Sequence, residues 1–169
     1  MNFRLAVKGD LPQLQTMFID IVKNMDNNNI HIWNQYYPYE EFENDIQNKN
    51  LYLITDKNDI VATIGLFDTI DGENCFEWKN KNAKTLYISR LGVNVNYLRQ
   101  GMGKLALQNA IKIANDRNCK YLRLLVADIN KQAINLYTKN GFCKVDGIRN
   151  EYSETLNKTI SELGLEIKL

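Results

Sequence analysis

A single α/β domain on a mixed sheet is the fold class this sequence predicts, and two observations carry the prediction. Strand-like runs alternate with amphipathic helical stripes in the order β-α-α-β-β-β-α-β-α-β-β, about seven strands with about four helices. No Pro/Ser-rich linker, internal repeat or low-complexity tract interrupts residues 1–169, which are long enough to bury one core without staples.

Phe3 to Val7 alternates as a strand. Gly9-Asp10 opens a helix with Asp10 as N-cap and Pro12 in its first turn. Leu11, Leu14, Met17, Phe18, Ile21, Val22 and Met25 recur at helical spacing and form its buried stripe. The polar run Asp26 to Asn29 ends it. Ile30 to Pro38 is dense in aromatics, including Trp33, Tyr36 and Tyr37, and precedes a second helix over Tyr39 to Asn48. Loop aromatics either wall a binding site or plug a core, and both roles are open for Trp33 and Tyr37.

Leu51 to Thr55 and Ile60 to Phe67 are β-branched runs joined by Asp56 to Asp59, the pattern of a hairpin. Asp68 to Lys84 reads as an exposed polar connection with Phe76 and Trp78 its only large apolar groups, and Thr85 to Val95 as a long strand. Met102, Leu105, Ala106, Ala110, Ile113 and Ala114 mark a third helix ending near Asn118. Tyr121 to Ala127 is an inner strand interrupted by Arg123. A fourth helix over Lys131 to Lys139 stops at Asn140-Gly141, and Phe142 to Ile148 and Thr159 to Lys168 close the domain across the polar segment Arg149 to Lys158.

Lys and Arg number 21 against 20 Asp and Glu, a net charge of +1, so no global field draws the chain to nucleic acid or an anionic membrane. Cys75, Cys119 and Cys143 are odd in number without C-x-x-C spacing, and His31 is the single histidine. A zinc site of His/Cys type is therefore not expected, and reduced thiols in a cytoplasmic protein are. Met1 to Leu5 lacks an apolar leader, and no run approaches the roughly 18 apolar residues of a membrane span.

The most informative run is Leu98-Arg99-Gln100-Gly101-Met102-Gly103-Lys104, between a strand and a helix. Glycines let the backbone approach a bound group, and the helix start presents N–H donors, so the run suits an anion such as a pyrophosphate. It lacks the Lys-Ser/Thr ending of a nucleotide P-loop. A second motif, Asn130 to Phe142, follows the next strand.

Together, Val93 to Lys104 and Asn130 to Phe142 resemble the GCN5-related N-acetyltransferase (GNAT) superfamily over Phe3 to about Ile148, element order included. The resemblance implies a mostly antiparallel central sheet whose splayed middle strands form an acetyl-CoA cleft. It implies acetyl transfer from acetyl-CoA to an amine of a small molecule or peptide, by direct attack in a ternary complex. Leu91, Gly92 and Val93 would hold the pantetheine arm. Arg99, Gln100, Gly101, Met102, Gly103 and Lys104 would hold the pyrophosphate. Asn130 would hydrogen-bond the cofactor arm, or serve only as an N-cap, or do both. Tyr137 would protonate the departing CoA thiolate, its alternative being packing on Phe142. Leu98 stands where the family pattern has Gln or Arg, and Val95 replaces a common Pro, so the binding weight falls on backbone amides. Members are often dimers, which leaves a homodimer open.

The acceptor ammonium must lose a proton, and Glu73, Glu77, Asp128, Tyr87 or water are the candidate bases. Some relatives carry a glutamate where Tyr87 stands. Arg90 either pairs with a substrate anion or makes a salt bridge, and Trp33, Tyr36, Tyr37 and Trp78 could wall the acceptor. His31 reads as a loop residue. The competing function is an acyl-CoA sensor or scaffold without turnover, which fits the missing glutamate and is at odds with the retained Tyr137.

Overall fold

Eight strands and four α-helices form among the described residues, in the mixed-sheet α/β class that the element order predicts and with the mostly antiparallel pairing that the family resemblance implies. The structure, a computed structural model, describes residues 1–34 and 36–169, so Gln35 in the aromatic-rich segment lies outside the described residues. The chain condenses into two compact units: Met1–Leu66 with Arg90–Ala106, and Phe67–Ser89 with Leu107–Leu169.

In the first unit, β1 (Asn2–Leu5) pairs antiparallel with β2 (Leu51–Asp56), which pairs antiparallel with β3 (Asp59–Phe67). Helix α1 (Leu11–Asn27) buries Leu14, Met17, Phe18 and Ile21, the stripe its spacing predicts. They pack with Ala6, Leu51, Leu53, Ile60 and Phe42, the last from α2 (Phe42–Gln47). Asp10 occupies the N-cap position of α1 without capping it. Its carboxylate instead accepts from the Val7 N–H at 2.8 Å and from Arg4 at 2.7 Å, because a 3-10 turn over Lys8–Asp10 directs it back to β1. A similar turn at Tyr39–Glu41 shortens the second helix.

Strand β4 (Thr85–Val93) runs out of the second unit and ends in the first, where the Asn94 N–H donates to Val61 O at 2.9 Å. It stops at Val93 rather than Val95 because the Asn94 side chain accepts from the Asn96 N–H at 3.0 Å and turns the chain. A Cβ on Gly92 would fall 2.8 Å from Phe18 Cζ and 3.2 Å from Ile21 Cδ1, so the glycine is what lets α1 lie close on β4. Gly92→Ala is expected to lower stability by about 1–3 kcal/mol through overpacking. The effect should appear as a lower urea midpoint with an unchanged slope.

In the second unit, the first half of β4 pairs in parallel with β5 (Tyr121–Ala127), from Thr85↔Tyr121 to Ile88↔Leu124. Helix α3 (Met102–Asp116) reaches this unit from the first, and α4 (Lys131–Lys139) follows β5. Strand β6 (Cys143–Lys144), strand β7 (Arg149–Ser153) and β5 all pair antiparallel with β8 (Lys158–Lys168). The polar segment Arg149 to Lys158 contains β7, whose backbone pairs with β8 from Arg149↔Glu162 to Ser153↔Lys158, assisted by the Arg149–Glu162 ion pair at 2.8 Å. Backbone pairing needs no apolar alternation, so the pattern missed it. Conversely, the strand expected over Phe142 to Ile148 shrinks to two residues, because Gly147 takes φ +119 and presses its backbone against Cys75 O. The connection Asp68 to Lys84 is not wholly exposed: Phe76 and Trp78 are buried with Tyr87 and Val145.

Candidate functional site

The first unit carries the glycine run. The Leu105 N–H donates to Gly101 O at 3.0 Å, which makes Gly101 the residue before the first turn of α3. The N–H groups of Met102, Gly103 and Lys104 then have no acceptor within the helix, and the helix dipole places partial positive charge there. Arg99 and Gly101 both take left-handed backbone, φ +61 and +81, an alternation that gathers successive N–H groups into an anion-binding concavity. A Cβ on Gly101 would meet nothing within 4 Å, so space lies open in front of it. Gln100 Nε2 donates to Asn96 O at 3.1 Å and steadies the approach to the loop. Leu98 is exposed.

Leu91, Gly92 and Val93 precede this loop on β4 in the same unit. Arg90, just before them, is engaged: its Nε lies 2.7 Å from Asp45 Oδ2 and its Nη2 3.6 Å from Glu41 Oε2. The short contact is an ion pair without hydrogen-bond alignment. Trp33 packs on the first unit's core with its ring 5.5 Å from that of Phe18. Tyr36 and Tyr37 are exposed, and both of their N–H groups donate to Asn34 Oδ1, at 2.8 and 2.9 Å. His31 stands outside this core, its Nδ1 2.8 Å from Asp26 Oδ1.

The second unit carries the other motif. Asn130 caps α4, its side chain accepting from the Ala133 N–H at 3.1 Å. Tyr137 is 7% exposed, with its ring edge-on to Phe142 at 5.8 Å. Burial disfavours the phenolate and pushes the Tyr137 hydroxyl well above its ordinary range, so it remains a proton donor. Asn130 and Tyr137 thus share one short helix, placed there by the cap and by the stop at Gly141, φ +91.

Trp78 is a core residue of this unit, donating from Nε1 to Glu73 O at 2.7 Å and lying under the Arg123 guanidinium at 4.8 Å. Of the candidate bases, Glu73 and Tyr87 are brought together, their side chains hydrogen-bonded. Burial first, then that bond, raises the Tyr87 hydroxyl, so it is neutral at physiological pH. Glu77 is exposed and paired to Lys81 at 2.8 Å. The pattern reading missed the buried Arg123–Glu166 pair and the buried Asp45. A charge inside an apolar run was the available signal for Arg123, and none existed for Asp45. Among the described residues, no group of three or more His, Cys, Asp or Glu is placed to hold a metal ion.

The fold and the loop define a class, and comparison with known proteins agrees. The sequence pattern of the acetyltransferase (GNAT) family matches residues 18–142, so the chain belongs to that family. It is 36% identical over 64 residues to the thialysine N-epsilon-acetyltransferase of Bos taurus, a match covering 38% of this chain and 36% of that protein. The chain therefore spans about a third of the length of the curated relatives it matches. Its fold superposes on the ribosomal-protein-alanine N-acetyltransferase of Brucella melitensis with a TM-score of 0.74 at 20% identity, over 100% of both chains. It also superposes on the yncA protein of Salmonella typhimurium, solved with its cofactor acetyl-CoA, with a TM-score of 0.70 at 15% identity, covering 100% of this chain and 94% of that one. No helix among the described residues is long and apolar enough to cross a membrane.

Proposed function

We propose that this chain is an acetyl-CoA-dependent N-acetyltransferase that transfers an acetyl group to an amine of a small molecule or peptide by direct attack in a ternary complex. The observation that carries the reading is the left-handed pair Arg99 and Gly101 at the start of α3, with open space before Gly101. Backbone N–H groups of Gln100 to Lys104 bind the pyrophosphate there, and Arg99 and Lys104 add charge. Bound acetyl-CoA supplies a thioester, an acyl group already activated for attack by nitrogen. The backbone of Leu91, Gly92 and Val93 holds the pantetheine arm, and an N–H of this strand polarises the thioester oxygen. Asn130 adds a hydrogen bond to the arm while capping α4. With the thioester bound, Tyr137 Oη would give its proton to the leaving sulfur as the C–N bond forms and the C–S bond breaks, and the proton released by the amine nitrogen would pass to water or to one of the carboxylates Glu73, Glu77 and Asp128. Trp33 and Tyr37 flank the acceptor. The free thiols Cys75, Cys119 and Cys143 suit the cytoplasm.

Titration with acetyl-CoA tests the reading. Saturation at a hundred times Kd is expected to stabilise the fold by about 2.7 kcal/mol. Gly101→Val is expected to weaken binding about tenfold or more, since it puts a branched side chain on left-handed backbone where the phosphates approach. Thialysine, lysine and a peptide with N-terminal alanine are the first acceptors to assay for release of CoA. Absence of any acetyl-CoA binding at millimolar concentration would sink the proposal.

A further inference from the structure

Arg90 interrupts β4 with a backbone conformation that residues bearing a Cβ rarely adopt, φ +52. Such strain persists only where the surroundings over-determine it, and it gathers at functional sites. Here the surroundings are specific. The Thr63 hydroxyl donates to Arg90 O at 2.8 Å, fixing the carbonyl of the strained residue. The side chain is drawn the other way by Asp45 at 2.7 Å and Glu41 at 3.6 Å.

Asp45 is 1% exposed. Its carboxyl is pushed up to about 6 because burial disfavours the charge more than Arg90 favours it, with Glu41 adding to the rise. An unfolded Asp titrates at about 3.9, so the stabilisation that goes with a protonated Asp45 is fully present below that value and is lost as pH rises through the upper one. The ionised pair is thus kept at a cost to stability. Leu91 to Val93, the backbone proposed to hold the cofactor arm, follow directly on Arg90.

We infer that Arg90 and Asp45 are positioning residues: their ion pair holds the left-handed turn in β4 and so sets the direction of the N–H and C=O groups of Leu91 to Val93. The inference rests on the acetyltransferase reading above. It also gives Arg90 a task other than binding a substrate anion, since its guanidinium is already committed to carboxylates.

Arg90→Gly, Arg90→Lys and Asp45→Asn in the full chain test it. Glycine adopts positive φ without strain, so Arg90→Gly keeps the turn accessible and loses only the latch. Arg90→Gly and Asp45→Asn are expected to lower kcat about tenfold or more, with acceptor KM within about twofold, for acceptors with and without a carboxylate alike. Arg90→Lys, which keeps the charge, recovers part of the loss. Asp45 is faced by Arg90 from β4 and by Glu41 from the turn before α2. The wild-type to Asp45→Asn ratio of kcat is therefore expected to hold above about pH 7 and approach one at about pH 5, where wild-type Asp45 is mostly neutral. A merely structural residue would not give that profile. Amide exchange at Leu91 and Val93 quickens in both variants, a readout independent of turnover.

Unchanged kcat and unchanged exchange in Arg90→Gly and Asp45→Asn would overturn the inference and leave the acetyltransferase reading standing. A KM increase confined to carboxylate-bearing acceptors would overturn it in favour of anion binding. Failure of the wild type to bind acetyl-CoA would instead remove the reading beneath it.

Discussion

Replacing Tyr137 by Phe is expected to lower kcat by about 10²- to 10⁴-fold, the range that a positioned general acid contributes, while acetyl-CoA affinity stays within about twofold. The substitution removes only the hydroxyl, so the edge-on packing against Phe142 survives and the fold is retained. The expected loss is large because the thiolate would otherwise leave uncompensated in a dry environment. Burial pushes the Tyr137 phenol up, which keeps it protonated but makes it a weaker acid, and the same burial makes a thiolate beside it more basic, so the two shifts oppose each other in the proton transfer. Steady-state kinetics with calorimetric measurement of cofactor binding separates the two quantities. A sensor without turnover would be indifferent to the change. Unchanged kcat in an active wild type would reduce Tyr137 to a packing residue.

Arg123→Met is expected to be the most destabilising of the substitutions considered, by about 3–5 kcal/mol, because it leaves an unpaired carboxylate inside the second unit. Arg123 and Glu166 are each 2% exposed. Arg123 Nε donates to Glu166 Oε2 at 3.1 Å, Nη2 to Asn80 O at 2.7 Å and Nη1 to the Tyr87 hydroxyl at 3.4 Å, while the guanidinium stacks on Trp78. The second carboxylate oxygen of Glu166 accepts from the Lys79 N–H at 3.1 Å. Thermal melting should fall by on the order of 10 °C. Removing both charges, as Arg123→Met with Glu166→Leu, is expected to recover most of the loss, since the cost lies in the orphaned charge rather than in the absence of the pair. A double variant no more stable than the single would refute that explanation.

The cluster also shows where sequence patterns run out. Registers place Tyr87 opposite Arg123 and Arg123 opposite Glu166, a row across β4, β5 and β8 on one face. Local periodicity shows that Tyr121 to Ala127 is an inner strand, yet it cannot show that a glutamate 43 positions later neutralises its arginine. Phe76 and Trp78 sat in a segment that read as exposed because polar neighbours outnumber them, and they cover that row. Strand β7 was invisible for a related reason: its residues gain from backbone pairing and from Arg149, not from burial.

Determined by the sequence itself were the element order as far as α4, the apolar stripe of α1, the glycine loop ahead of α3 and the helix that Asn130 caps, because each depends on residues close together in the chain. These suffice for the family. Only the tertiary structure decided what the charges do. Asp45 and Arg90, Arg123 and Glu166 are distant in sequence, and local pattern names no partner for any of them. Their meaning comes from burial, which makes a lone charge costly and a partner necessary, and burial belongs to the folded chain alone.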